Sequence, residues 1–217
     1  MAFLKKVATS LAIACCVSFG FSNAPTYAID EPVSGKSLNL EGNNAKIWDN
    51  LSKEQQQEVI DVVNDPEFRI GMTQEEAISI SPNLVIEVDY KVKNDSPTSR
   101  LDPLNASVAG GSYAVTSDYT ERTSLLGIEL GWSKIEYRYV TGNNRVLESR
   151  SCVGTYNQIV PFRNVNVSTN HWLSGGEGTC IADWSVSRGA GILGTERWEQ
   201  GMTVNGPGIK NRWFFKK

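Results

Sequence analysis

From residue 83 to the C-terminus, apolar and polar side chains alternate with a period of two, and this pattern limits the fold more than any other feature of the chain. A period of two is typical of a β-strand with one buried face. Short strands separated by Gly-rich turns predict a mainly β, α+β overall fold built on an antiparallel β-sandwich or barrel. The predicted strands, apart from one hairpin, are residues 84–91, 113–119, 156–162, 164–169, 179–187, 195–204 and 210–215.

The clearest local pattern is a long antiparallel hairpin whose return strand is residues 145–153. Apolar residues on its first strand keep one parity as far as Trp132 and the opposite parity from Ile135 onward. A slip of one residue reverses the faces of a strand unless an extra residue is accommodated. We therefore expect a β-bulge or sharp bend within residues 131–134. Gly142-Asn143-Asn144 supplies residues that tolerate positive φ and predicts the tight turn.

Two helical segments precede the β region and are expected to form a small hairpin over residues 46–82. Each has a capping box, in which a Ser or Thr is followed three residues later by a Gln or Glu. The boxes are Ser52 with Gln55 and Thr73 with Glu76. A Pro after each segment pushes the preceding residue out of the helical region and ends the helix.

Residues 1–28 have the layout of a secretory signal peptide: two lysines, an uncharged apolar stretch, and small polar residues before Ala28. We expect cleavage after Ala28 and a secreted, extracellular product. A cut after Ala24 would place Pro25 beside the scissile bond, where its fixed φ fits a protease poorly. The predicted organisation is a signal peptide at residues 1–28, an extended leader at 29–45, the helical hairpin at 46–82 and the β domain at 83–217.

Two other interpretations of the N-terminal segment stay open. An uncleaved anchor helix needs about 20 apolar residues, whereas this apolar stretch is shorter and contains Ser10 and Gly20. Cleavage as a lipoprotein would occur just before Cys15, but Ala12 stands where Leu is usual. A signal peptide accounts for the whole segment better than either.

The mature chain would keep two cysteines, Cys152 and Cys180. Two cysteines in an exported chain are expected to form a disulfide. The loop that they close implies about 3–4 kcal/mol of stabilisation from the lost entropy of the unfolded chain. A redox or nucleophilic thiol would need a Cys-x-x-Cys motif or a nearby His, and the sequence around them has neither.

The chain has a single histidine, His171, which excludes most common active-site arrangements. Ser-His-Asp and Cys-His catalysis need a placed imidazole, and a typical zinc site needs three or four ligands. The Gly-rich residues 189–194 fit a dinucleotide-binding spacing but lack a following helix. A net charge of -3, or -5 without the two N-terminal lysines, opposes nucleic-acid binding. We predict no catalytic residues, no metal site, no cofactor and no nucleic-acid partner.

Aromatic side chains provide the remaining functional signal. Trp172 lies in a predicted loop or strand end among polar and Gly residues, and Trp198 lies between Arg197 and Glu199, where we expect it half-exposed. With His171 they are the candidate binding residues of a secreted, non-enzymatic protein that presents aromatic loops on a disulfide-tied β scaffold. The predicted partner is an extracellular protein, a glycan or another cell-surface component.

Two alternative functions stay open. A secreted, glycosidase-like hydrolase would bring two carboxylates into one cleft. A membrane-active or antibacterial toxin would insert the hairpin of residues 125–152, although charges interrupt it. Residues 210–217 are predicted as a terminal strand; an interfacial membrane anchor is the alternative, which the acidic remainder of the chain disfavours. The candidate carboxylates are Glu129, Glu136, Asp183, Glu196 and Glu199.

Overall fold

In the residues that the structure describes, three helices precede eight strands, which confirms a mainly β fold with a helical segment before the sheets. The computed structural model describes residues 34–95, 111–160, 163–188, 195–206 and 208–217, so the predicted signal peptide lies outside the described residues. The elements are α1 Gly42–Asn50, α2 Lys53–Asn64, α3 Gln74–Ile80, β1 Leu84–Asn94, β2 Tyr113–Leu125, β3 Ile128–Gly142, β4 Arg145–Gln158, β5 Arg163–Ser174, β6 Glu177–Arg188, β7 Thr195–Asn205 and β8 Gly208–Lys216.

The strands form two antiparallel sheets of four, each in simple chain order. We call β1–β4 the first sheet and β5–β8 the second sheet. Their inner faces pack together, with β4 against β5 and β6 and with β3 against β6. The described strands thus form two separate ladders, and of the two predicted architectures the fold is a sandwich.

The core between the sheets is strongly aromatic. Tyr137 and Tyr139 of β3 are fully buried, and their stacked rings have centroids 5.1 Å apart. Trp184 of β6 lies directly opposite Trp198 of β7, and both are buried between the sheets. A second cluster, which includes Phe68, joins the helices to the end of the first sheet. The helices therefore close one end of the sandwich and bury their own apolar face there.

Both predicted capping boxes are present, because Ser52 and Thr73 each accept a bond from the backbone N–H three residues later and receive the reciprocal side-chain bond. The helical region nevertheless contains three helices. Leu51 is extended (φ -73°, ψ 145°), so that a separate α1 ends before the Ser52 cap. The extended leader is wrong for residues 42–45, which belong to α1. Packing of Ile47 against the second cluster outweighs the weak helix propensity of the Gly- and Asn-rich start.

The predicted hairpin is β3–β4, and its turn is confirmed: Asn143 and Asn144 have φ of 54° and 59°. The β-bulge lies just before the predicted place. Thr123 pairs with Gly131 and Ser124 with Glu129, which leaves Leu130 as the extra residue. The extra residue reverses the alternation, so Trp132 lies on the opposite face from Leu130. The sequence pattern had placed these two residues on the same face.

The return strand is longer than predicted and continues to Gln158. The separate strand expected at residues 156–162 is therefore wrong for Tyr156–Gln158, which extend β4, and Ile159 and Val160 are not in a strand. Residues 161 and 162 lie outside the described residues, as do residues 96–110 with most of the predicted loop between β1 and β2.

The predicted disulfide between Cys152 and Cys180 is present, with Cα atoms 5.5 Å apart. It joins the middle of β4 in the first sheet to the beginning of β6 in the second sheet. Both cysteines are buried in the core between the sheets. The bridge therefore fixes the two layers of the sandwich to each other.

Candidate functional site

Trp172 lies on the outer face of the second sheet and is 43% exposed. Of the two expectations, a loop or a strand end, the strand end is observed, because β5 extends to Ser174. Its parity follows from the register: Val167 lies opposite the buried Trp184, so even-numbered residues of β5 point away from the core. Trp172 is thus a large ring held on a strand, where a strand gives it a more fixed direction than a loop would.

Trp198 is 4% exposed, so the expectation that it is half-exposed is wrong. Strand alternation explains the difference. Arg197 and Glu199 occupy the outer face of β7, and the residue between them must therefore point into the core. The polar residues on either side of Trp198 therefore indicate that they lie on the opposite face of the strand. They do not indicate that the whole strand is polar. Trp198 packs between the sheets and does not share a surface with Trp172.

His171 points to the inner side of β5, opposite Cys180. Its Nδ1 is 2.7 Å from the Ser149 hydroxyl oxygen, and the Tyr137 hydroxyl donates to the same oxygen at 2.7 Å. In the described part of the chain no hydrogen bond reaches the other ring nitrogen, so nothing orients the imidazole as a triad acid would. The three side chains form a polar chain across the seam between β4 and β5. The three predicted binding residues therefore do not converge on one surface.

The hydrogen bonds that link Tyr137, Ser149 and His171 give a stability prediction. Ser149→Ala removes the acceptor of the buried Tyr137 hydroxyl, and we expect the free energy of unfolding to fall by about 1–3 kcal/mol. Chemical denaturation measures the change. Ser151→Ala on the outer side of the same strand is the matched control and should cost less than about 0.5 kcal/mol. Equal small effects from both variants would show that the hydrogen bonds at Ser149 contribute nothing to stability.

Two further rings share the outer face with Trp172. Trp213 and Phe215 lie on β8, and the register places Trp172 in line with Asn211, three strands away. Three strand spacings and two residues along the strand place the Cα atoms of Trp172 and Trp213 about 16 Å apart. Trp213 lies flat over Gly201, where a Cβ would overlap the indole ring. The predicted terminal strand is confirmed as β8, and its alternation could have revealed this pair of outward rings.

Small uncharged polar side chains share this face with the rings. Amide and hydroxyl groups follow one another on β5 at every second position, and threonines continue the row next to Trp172 on β6 and β7. Amides and hydroxyls can both donate and accept hydrogen bonds. The members on β5 are Asn164, Asn166, Ser168 and Asn170, and the threonines are Thr179 and Thr203.

The charges at the centre of this face compensate each other in part. Asp183 and Glu199 are neighbours across β6 and β7, and the Lys217 ammonium group hydrogen-bonds to both. These bonds, first that to Asp183, raise the pKa of Lys217. Glu199 also accepts a 2.8 Å bond from the Trp213 indole N–H, which fixes that ring. We use the name outer-face platform for the rings of Trp172, Trp213 and Phe215 together with the amide and hydroxyl side chains of the same face.

The carboxylates of the hydrolase hypothesis do not share a cleft. Glu129 lies at the beginning of β3 beside Arg122, Glu136 pairs with Arg138 on the outer face of the first sheet, and Glu196 pairs with Lys216. Asp183 and Glu199 are adjacent, but an ammonium group bridges them on an open face. No pair is therefore placed on either side of a bound sugar as glycoside hydrolysis requires.

Sequence reasoning missed one buried acid, Glu121 of β2, which is 7% exposed. Burial raises its pKa to about 6, although the hydrogen bond from the Tyr119 hydroxyl acts in the opposite direction. The signal was present, because the alternation that places Val115 and Tyr119 inward also places Glu121 inward.

Among the described residues, no group of three or more His, Cys, Asp or Glu side chains gathers as a metal site would require. Within the same residues, every helix is too short or too polar to cross a membrane. Comparisons of the chain with protein-family models, with curated proteins and with solved structures find no match.

Proposed function

We propose that this chain is a secreted, non-enzymatic binding protein whose outer-face platform binds an extended neutral glycan. The observation that carries the proposal is the composition of that face. Large rings stand apart from one another, and uncharged amide and hydroxyl groups lie on the same face. Sugar rings have apolar C–H faces that stack on aromatic rings and hydroxyl edges that exchange hydrogen bonds.

The charge distribution supports a neutral ligand over an anionic one. Asp183 and Glu199 share the single Lys217 ammonium group, so the centre of the platform keeps one net negative charge, which opposes an acidic peptide or an anionic membrane. The separation of Trp172 from Trp213 supports an extended ligand that contacts both. A single small molecule would instead need an enclosed pocket.

Export supports the same proposal. The disulfide is expected in an oxidising compartment, and residues 1–28 have the layout of a signal peptide. An extracellular β-sandwich held together by a bridge between its sheets is a rigid scaffold, and rigidity lowers the entropy lost on binding.

The test is a binding screen against immobilised neutral oligosaccharides, such as cello-, xylo- and chito-hexaose. Trp172→Ala should weaken binding to the captured sugar at least tenfold, or about 1.4 kcal/mol, because the ligand loses one stacking ring. The melting temperature should stay unchanged, since the ring is half in solvent.

Leu147→Ala is the matched control, because Leu147 is a large exposed apolar side chain on the first sheet, away from the platform. It should leave affinity unchanged. Absence of binding across the panel, or equal affinity of the Trp172→Ala variant and the unaltered protein, would reject the proposal.

A further inference from the structure

The strand β1 lies at the edge of the first sheet, and its two sides have different hydrogen-bond partners. The N–H of Asp95, just after β1, donates to the carbonyl of Ala114 at 2.9 Å, so the backbone groups of odd-numbered residues face β2. On the other edge, the Gln74 side chain donates to the Leu84 carbonyl at 3.0 Å and accepts from the Ile86 N–H at 2.9 Å. Even-numbered residues of β1 therefore direct their backbone groups away from the sheet.

Beyond the Gln74 contact this edge is open. In the described part of the chain, no ladder or turn hydrogen bond pairs the outward backbone groups of Val88, Tyr90 and Val92. Their side chains are 44%, 56% and 44% exposed, because the second sheet ends at β8 and covers β1 only in part. Arg212 of β8 reaches this strand at the Tyr90 ring, with its guanidinium carbon 5.1 Å from the centroid. An open edge with exposed apolar side chains is a template for another strand.

The charges on the other face of β1 are arranged symmetrically about Tyr90. Glu87 and Asp89 precede it, and Lys91 and Lys93 follow it. In an antiparallel pair of two β1 strands centred on Tyr90, Asp89 lies opposite Lys91 of the other copy and Glu87 opposite Lys93. A parallel, in-register pair would place like charges side by side, which is destabilising. The sequence is therefore complementary to itself in one orientation only.

We propose that two copies of this chain associate through β1 in an antiparallel pair with a two-fold axis at Tyr90. The two first sheets become one continuous eight-stranded sheet. Val88 pairs with Val92 of the other copy, and Tyr90 pairs with its own equivalent. Each hydrogen-bonded pair exchanges two backbone bonds, which gives about six bonds across the interface. The contact is isologous, so it closes at the dimer and does not propagate into a fibre.

Sedimentation velocity of the purified protein over a range of concentrations tests the pairing. We expect a weight-average mass that rises toward twice that of the monomer. In a dimer of the Lys91→Glu/Lys93→Glu variant, four acidic side chains of one copy face four acidic side chains of the other. In a dimer of the Glu87→Lys/Asp89→Lys variant, four lysines face four lysines. Each variant alone should remain monomeric, and an equimolar mixture of the two should recover the dimer.

Lys46→Glu/Arg150→Glu is the control, because it changes the net charge by the same amount at exposed positions on α1 and β4. It should dimerise as the unaltered protein does. Tyr90→Pro is a second variant: it removes an N–H that faces away from β2, so it should abolish dimerisation while circular dichroism stays that of the folded sandwich. A protein that is monomeric at every concentration, or a mixture of the two charge variants that fails to associate, would overturn the proposal.

Discussion

Reduction of the Cys152–Cys180 disulfide is expected to lower the free energy of unfolding by about 3–4 kcal/mol, because the unfolded chain regains the entropy of a 28-residue loop. The effect should be large for a second reason. The bridge joins strands that belong to different sheets, so without it no covalent link fixes β4 to β6, and the sheets are held together by side-chain packing and a few hydrogen bonds such as that between Ser149 and His171. Urea denaturation of the oxidised and reduced protein measures the difference.

The comparison of oxidised and reduced protein keeps the same side chains in the core, where free thiols pack as small apolar groups. A Cys152→Ala/Cys180→Ala variant provides the second measurement and should lose a similar amount. Equal unfolding free energies with and without the bridge would contradict its role in joining the layers.

Glu121→Gln is expected to stabilise the protein by about 2 kcal/mol above pH 7 and to have little effect near pH 4. Burial raises the pKa of Glu121 from 4.5 to about 6. Between these two values the folded state binds more protons than the unfolded state, so the carboxyl contribution to stability falls as pH rises through this window. A shift of this size corresponds to about 2 kcal/mol. The amide stays uncharged and keeps a group that can bond to the Tyr119 hydroxyl.

Urea denaturation of both proteins from pH 4 to 8 gives the difference directly, because the titration of all other groups is shared. Glu148→Gln is the control: Glu148 is exposed and pairs only at the surface with Arg150, so its difference should stay near zero. A constant difference between the Glu121→Gln variant and the unaltered protein across this pH range would contradict the raised pKa.

Local patterns predicted the elements well where each residue type has one strong preference. The capping boxes at Ser52 and Thr73, the Asn143–Asn144 turn and the parity change in β3 all follow from short-range chemistry. The separate α1 was missed because tertiary packing of Ile47 forms it, and packing is not visible in a local window. The join of residues 156–158 to β4 was missed for a similar reason, since only the ladder with β3 shows that the strand continues.

The candidate site was predicted in part. Trp172 is exposed, as its polar and Gly neighbours indicate, but the sequence leaves open a loop or a strand end at this position, and only a strand has the alternation that gives the ring its direction. Applying the same alternation to Trp198 would have placed it in the core. The proximity of Trp172 to β8 could not be predicted, because it depends on the order of strands in the second sheet.

Two independent surfaces result from this fold. The outer-face platform belongs to the second sheet, and the open edge of β1 belongs to the first sheet. A dimer formed through β1 would carry two platforms, and a repetitive polysaccharide could engage both if their separation matches. Linked binding of this kind raises the apparent affinity without any new contact.

The indole N–H signals of the six tryptophans, followed by NMR during titration with the captured oligosaccharide, test the central claim most directly. The claim is that a rigid sandwich binds through the outer face of its second sheet. We expect the signals of Trp172 and Trp213 to shift and those of Trp184 and Trp198 to remain in place, because the latter two are enclosed between the sheets. Shifts confined to Trp184 and Trp198 would place the ligand inside the sandwich and contradict the account.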